Sequence, residues 1–347
     1  MKIDRRRFLA RSTATLAAAA TGGAFTACSE KAEPEAGGSA EEGTRFEISL
    51  AQWSLHRALK EGKLDHLDYP KFTKENFGIS AIEWVNQFFY VEHETLGYQP
   101  KDQAYLAEMK KRVEDLGMTN VLIMCDRVGN LGNPDAVKRT AAVEGHYAWL
   151  EAAKFLGCHS IRVNAASDPS LNPEMQSDLC TEGLRRLSEK AATMGLGVIV
   201  ENHGGLSSNG AWLAQAIKNV GLPNCGTLPD FGNFYVVKNR GNAEQYEKEK
   251  ALYAGDPAYT EDDKGLGYDR YLGTKELMPY AKGVSAKAHD FDAAGNEVHT
   301  DFVKMMGIVK ESGYRGHVGI EYEGDQLGEV EGIRKTKELL ERVFTMI

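Results

Sequence analysis

Eight short apolar or β-branched runs recur between residues 46 and 324, separated by segments of helical periodicity, and this alternation restricts the fold more than any other feature. The runs are FEISLAQWS (46–54), AIEWVN (81–86), NVLIMCD (120–126), SIRVNA (160–165), GVIVENH (197–203), CGTLPDF (225–231), GVSAKAHDF (283–291) and VGIEYEG (318–324). Their length and β-branched content read as strands. Between them stand amphipathic segments such as QAYLAEMKKRVEDLG, YAWLEAAKFLG, LRRLSEKAATMG and DFVKMMGIVKESG. Each of these ends in a glycine, as a helix C-cap does. Eight strand-plus-helix repeats in about 300 residues predict an α/β fold, the (β/α)8 TIM barrel. A doubly wound open sheet would carry a glycine-rich phosphate loop after its first strand, and no such loop is present.

A barrel of this kind displays its functional side chains at the C-terminal ends of its strands. The fifth strand ends in Glu201 and His203, and the sixth in Asp230 within LPDFGNF. The seventh leads through SAKAHDFD to His289 and Asp290, and the eighth carries Glu321. Glu201 and His203 are two residues apart, so both side chains leave a strand on one side. Three carboxylates converging on a dry mouth repel one another unless a cation lies between them. A carboxylate-rich shell with at most one imidazole favours Mn2+, Mg2+ or Co2+ over Zn2+. The remaining strand ends offer Gln52, His56, Glu83, Asp126, Arg127, Arg162, Asn164 and Lys287. Such a lining suits a polyhydroxylated ligand. Trp53, Trp84, Phe88, Phe89, Phe231, Phe234 and Tyr235 add flat apolar faces for a sugar ring.

The motifs QWSLHRAL, IEWVNQFF, VIVENHGG, PDFGNF and VGIEYEG together resemble the xylose isomerase-like TIM-barrel superfamily, the sugar phosphate isomerase/epimerase group, across residues 45–347. The resemblance implies one divalent metal held by a Glu, an Asp, a His and a Glu from strands five to eight. On this sequence those are Glu201, Asp230, His289 and Glu321. It also implies that Glu201 and Glu321 serve as the acid/base pair. Asn233 falls where many members place a substrate-binding histidine. His56, Glu83, Asn164, His203, Asn233 and Lys287 are the expected substrate contacts. Strand seven departs from the pattern: Ser285 occupies the place of the ligand histidine in a His-x-Lys-Asp run, which leaves His289 at the strand end as the candidate.

Each residue also has a plainer role open to it. Glu201 and Glu321 suit structural ion pairs, and Asp230 suits a helix N-cap. Lys287 suits a salt bridge to Glu321 or Glu201 as well as stabilisation of an enolate. Residues 236–275 form a long connection that reads either as a solvated insertion or as a lid over the mouth. His66, His93, His299 and His317 carry no site argument and are expected to be exposed or in loops.

The N-terminus reads as an address. Asp4 to Ala10, DRRRFLA, resembles a twin-arginine export signal, followed by an apolar run too short to span a bilayer. Phe25-Thr26-Ala27-Cys28 resembles a lipobox with Phe in place of the usual Leu, making Cys28 a lipidation candidate; the other reading is a plain cleaved signal. Residues 1–28 are thus a signal peptide, 29–44 a Glu, Ala, Gly and Ser-rich linker, and 45–347 the barrel. Cleavage before Cys28 would take the formal net charge from −9 to −13. So acidic a domain repels nucleic acid, which disfavours the endonuclease activity also found on this fold. Cys125, Cys158, Cys180 and Cys225 match no zinc or redox spacing, and Cys125 and Cys158 are expected to be buried thiols.

The expected activity is metal-dependent isomerisation or epimerisation of an unphosphorylated sugar or keto-sugar through an enediolate, by an exported protein, periplasmic or outer-membrane-associated, that meets the membrane through a lipid anchor. A 3-keto-glycoside lyase begins with the same proton abstraction, and a non-catalytic sugar-binding lipoprotein stands as the alternative from another class.

Overall fold

A computed structural model describes residues 46–347; the signal, lipobox and linker assigned above lie outside the described residues. Eight parallel strands form the central sheet: β1 (Glu47–Ala51), β2 (Ala81–Val85), β3 (Thr119–Met124), β4 (Ser160–Asn164), β5 (Gly197–Glu201), β6 (Cys225–Leu228), β7 (Val284–Ala288) and β8 (His317–Tyr322). Every one falls within a residue or so of a run identified in the sequence. Hydrogen bonding runs in the order β7-β8-β1-β2-β3-β4-β5-β6. The β1–β8 register pairs Leu50 with Ile320, and the β7–β8 register pairs Lys287 with Glu321.

The two edges, β6 and β7, meet through isolated parallel bridges, Thr227 with Ala281 and Asp230 with Ser285. Ser285 N donates to Pro229 O at 2.9 Å, and Phe231 N donates to Ser285 O at 3.0 Å. The ring therefore closes along the β6–β7 seam, and two residues of the candidate site, Asp230 and Ser285, form one of the bridges.

β2, β5 and β7 are buried at every position. A parallel strand covered on one face by helices and on the other by barrel contents requires this. Trp84 and Trp149 are fully buried, and their indole N–H groups donate to Asn120 Oδ1 and Tyr98 O, both at 2.7 Å. Each such ring brings roughly 1.5–3 kcal/mol of apolar burial, and the partner for its N–H removes the penalty. The outer helices begin at side-chain caps, among them Asp102, Asp135, Asn172 and Asn209. The helix Tyr147–Leu156 ends at Gly157 with φ 83°, the left-handed C-cap expected from YAWLEAAKFLG.

The segment after β6 is neither a bare loop nor a loose insertion. Tyr235–Lys238, Tyr259–Asp262 and Gly265–Tyr268 form a three-stranded antiparallel sheet, with the helix Ala243–Lys250 in the first connection. Phe234, Val236, Val237, Tyr246, Leu266 and Tyr268 give it an apolar core of its own.

All four cysteines among the described residues are buried and free, as expected for Cys125 and Cys158. His66 corrects the sequence reading. It is buried, stacked against Phe89 and Tyr105, with Nδ1 2.9 Å from the Tyr105 hydroxyl. His317 is likewise not a loop residue but the first residue of β8. Among the described residues, no helix is long and apolar enough to cross a membrane.

Candidate metal centre

Glu201 closes β5, Glu321 lies near the end of β8, and Asp230 sits two residues past β6. One carboxylate oxygen from each lies within 4.8 Å of the others, and this is the one such cluster among the described residues. Glu201 and Asp230 are fully buried and Glu321 is 3% exposed. Asp230 Oδ1 accepts the backbone N–H groups of Gly232 and Asn233 at 2.9 and 2.8 Å, which turns the chain after β6 and fixes the carboxylate. Asn233 Nδ2 reaches back to Glu201 Oε1 at 2.9 Å.

Two cations flank the cluster. Arg162 Nε lies 2.8 Å from Glu201 Oε2, and its Nη1 is 2.8 Å from Asp126 Oδ1. Lys287 Nζ lies 3.1 Å from Glu323 Oε1, 3.3 Å from Glu321 Oε1 and 3.7 Å from Asp230 Oδ2. Burial drives the Asp230 carboxyl up to about 6 despite the Lys287 ammonium, and it drives Glu321 well above the carboxylate range. Burial also acts on Glu323, but Lys287 outweighs it and holds that carboxyl down at about 2.

The donors suit a hard divalent cation. Glu201 Oε2 is buried without a hydrogen bond, because the nearby Arg162 Nε–H is not aimed at it. The Ser285 hydroxyl lies 2.6 Å from Asp230 Oδ2 and 3.0 Å from Glu321 Oε2. It has one proton and can donate to only one of them. An all-oxygen set with such unmet acceptors matches Mg2+ or Mn2+. Glu201, Asp230 and Glu321 are the residues that would hold it.

The model of one family, described as the xylose isomerase-like TIM barrel, matches residues 72–343. The chain belongs to this family. A search of curated proteins finds no match. Solved structures show the same fold at low identity. A 3-keto-D-glucoside 4-epimerase from E. coli superimposes with a TM-score of 0.58 at 15% identity, covering 86% of this chain and 100% of that one. A sugar phosphate isomerase/epimerase from Parabacteroides distasonis gives 0.58 at 16%, covering 87% and 95%. A D-psicose 3-epimerase from Clostridium cellulolyticum gives 0.58 at 12%, covering 86% and 99%.

Within this xylose isomerase-like barrel the other residues singled out by sequence divide into two groups. His289 stands one residue beyond β7, half-buried, with its ring 6.1 Å from that of His299, and it is not part of the carboxylate cluster. Ser285 and Lys287 are the strand-seven residues that touch the cluster. Asn164 pairs with Glu201 in the β4–β5 register and donates to Asp126 Oδ1 at 2.9 Å. His203 is exposed and, with Asn164, lines a cleft of about 340 Å³ whose far wall is Val236, Val237 and Tyr253 of the insertion. His56 stacks on Trp53 at the end of β1, its Nδ1 2.7 Å from Trp53 O. Glu83 points into the barrel beside Gly319, where a Cβ would come within 2.4 Å of its Oε1, and accepts from the Ser49 hydroxyl at 2.6 Å.

Two contributors escaped the sequence reading. Glu323 follows Glu321 by two residues, the same spacing that singled out Glu201 and His203. Asn202 donates to Asp230 O and Asn233 O at 2.9 and 3.0 Å and accepts from Asp230 N at 2.8 Å. It lies between two residues that drew attention, just past the end of the strand, and nothing local marks its partners 28 and more residues away.

Proposed function

We propose that this protein is a divalent-cation-dependent isomerase or epimerase acting on an unphosphorylated sugar or keto-sugar. The observation that carries it is the convergence of Glu201 and Glu321, from two strands, and Asp230, from the loop after a third, into one buried cluster at the C-terminal end of the barrel. Membership of the family and the likeness to sugar epimerases support it. A bound cation would polarise a substrate carbonyl and the neighbouring hydroxyl. Glu201 and Glu321 approach from β5 and β8. One removes the proton from the carbon beside the carbonyl and the other returns a proton to the opposite face or the adjacent carbon. Asn233 orients Glu201 through its 2.9 Å hydrogen bond. Asn164, His203 and His56 at the strand ends offer hydrogen bonds to substrate hydroxyls.

The export reading belongs to the same proposal. Arg5-Arg6-Arg7 with Phe8-Leu9, and Cys28 after Phe25-Thr26-Ala27, support an exported and lipid-anchored protein, which favours unphosphorylated substrates. The test is NMR of ketoses and 3-keto-glycosides in D2O with chelated and Mn2+-reloaded protein. Cation-dependent C–H exchange, lost in Glu201→Gln and Glu321→Gln, is the expected result. Exchange indifferent to chelator and to both substitutions would sink the assignment, and release of an aglycone would move it to a lyase.

A further inference from the structure

Lys287 places a positive charge against the carboxylates that would hold the cation. Its side chain is 2% exposed, and its stem passes over Gly232, where a Cβ would come within 2.9 Å of Lys287 Cδ. Two of its three acidic neighbours, Glu321 and Asp230, belong to the cluster; Glu323, the nearest at 3.1 Å, does not. Lys287 and Glu321 face each other in the β7–β8 register, so the lysine side chain leaves its strand beside that of Glu321. The ammonium can change partners among the three acids by rotation about its own side-chain bonds.

We propose that Lys287 is a resident counter-ion that competes with the divalent cation for Glu321 and Asp230, and that Glu323 is the partner onto which it withdraws when the cation binds. This rests on the reading of the cluster as a cation site. A buried carboxylate cluster needs positive charge beside it whenever its acids are ionised, because like charges at this spacing are strongly unfavourable in a low-dielectric interior. Lys287 supplies it before the ion arrives. The same charge then repels the ion, so the site binds weakly and exchanges readily. Glu323 lessens that repulsion by holding the ammonium at the outer side, where its own side chain is 29% exposed.

Mn2+ titration of the full chain, by calorimetry and by the Mn2+ spin-resonance signal, tests this in four proteins. Lys287→Met is expected to bind Mn2+ about tenfold more tightly than the parent, and Glu323→Gln about fivefold more weakly. In the double variant the Glu323→Gln effect is expected to vanish, because the residue acts through Lys287. Circular dichroism checks each fold, and Lys287→Gln replaces Lys287→Met if the latter does not fold. Unchanged or weaker binding in a folded Lys287 variant would overturn the proposal. So would an undiminished Glu323→Gln effect in the double variant, which would make Glu323 a plain electrostatic contributor. Failure of the parent and the Lys287 variants alike to bind Mn2+, Mg2+ or Co2+ would instead remove the cation-site reading itself, and this inference with it.

Discussion

Arg162 and Glu201 form a buried ion pair across adjacent strands, Nε 2.8 Å from Oε2, with side chains 4% and 0% exposed. Asn164 and Glu201 are register partners, so Arg162, two residues earlier on β4, shares their side of the sheet and reaches both Glu201 and Asp126. Arg162→Met would leave two acids without their cation. Breaking a buried pair from one side typically costs about 3–5 kcal/mol. Urea denaturation of cation-free protein should show a loss of that order, and Arg162→Lys, which cannot fork to both acids, a smaller one. A loss below about 1 kcal/mol would mean that the pair is solvated and screened, as surface pairs are.

Glu83 makes stability depend on pH in the direction opposite to most carboxylates. Burial, opposed by the Ser49 hydrogen bond and aided by the nearby Glu201, raises its pKa from 4.5 to about 7. Between these values the folded chain binds more protons than the unfolded one. Its stabilising contribution is therefore complete below pH 4.5 and is lost as pH rises through 7. Glu83→Gln, which keeps the shape without the charge, should gain about 3 kcal/mol on the parent between pH 4.5 and pH 8. Denaturation midpoints at the two pH values, with chelator present, decide it; parallel curves would place Glu83 in contact with water.

His66 acts in the acid range. Burial is the main cause that lowers its pKa from 6.5 to about 3, with Lys101 adding to it. A neutral imidazole among Trp84, Phe89 and Tyr105 must charge on unfolding below pH 6.5, so stability present above that value falls as the solution is acidified towards 3. At pH 4.5 the loss from this group is about 2–3 kcal/mol. His66→Phe should flatten the decline between pH 7 and pH 4.5 by that amount. An equally steep decline in the variant would assign the acid sensitivity to other groups.

The barrel was legible because its strands are largely buried and so appear as short apolar or β-branched runs at regular spacing, and because the strand ends carry Glu201, Asp230 and Glu321. Neighbourhoods made by distant residues were not legible. His66 lies in a polar-looking stretch, yet its cage comes from residues 84, 89 and 105. The insertion's strands are four residues each and rich in Gly and Tyr, too short for periodicity to separate from loop. Lys287 was visible as a residue with two possible roles. Only its three distances, to acids on β8, just past β8 and beyond β6, show that it serves cluster and flank together.

Asn202 ties the end of β5 to the loop that carries Asp230, and Asn202→Ala would remove three buried hydrogen bonds at once. The backbone N–H and the carbonyl of Asp230 would lose their side-chain partner, while the Asn233 carbonyl would keep the Ser208 hydroxyl at 2.7 Å. At about 1 kcal/mol or more for each group left unsatisfied, the total should reach roughly 2 kcal/mol or more. Asn202→Asp should do at least as much harm, since a carboxylate would then face two carbonyl oxygens. The sharper reading is cation affinity. Asp230 is placed by this loop whereas Glu201 and Glu321 are placed by strands, so a folded Asn202→Ala protein should bind Mn2+ more weakly while keeping the Arg162–Glu201 pair. Mn2+ titration beside a denaturation curve separates the two effects: weaker binding makes Asn202 a positioning residue for Asp230, and unchanged binding in a destabilised protein makes it a brace for the fold alone.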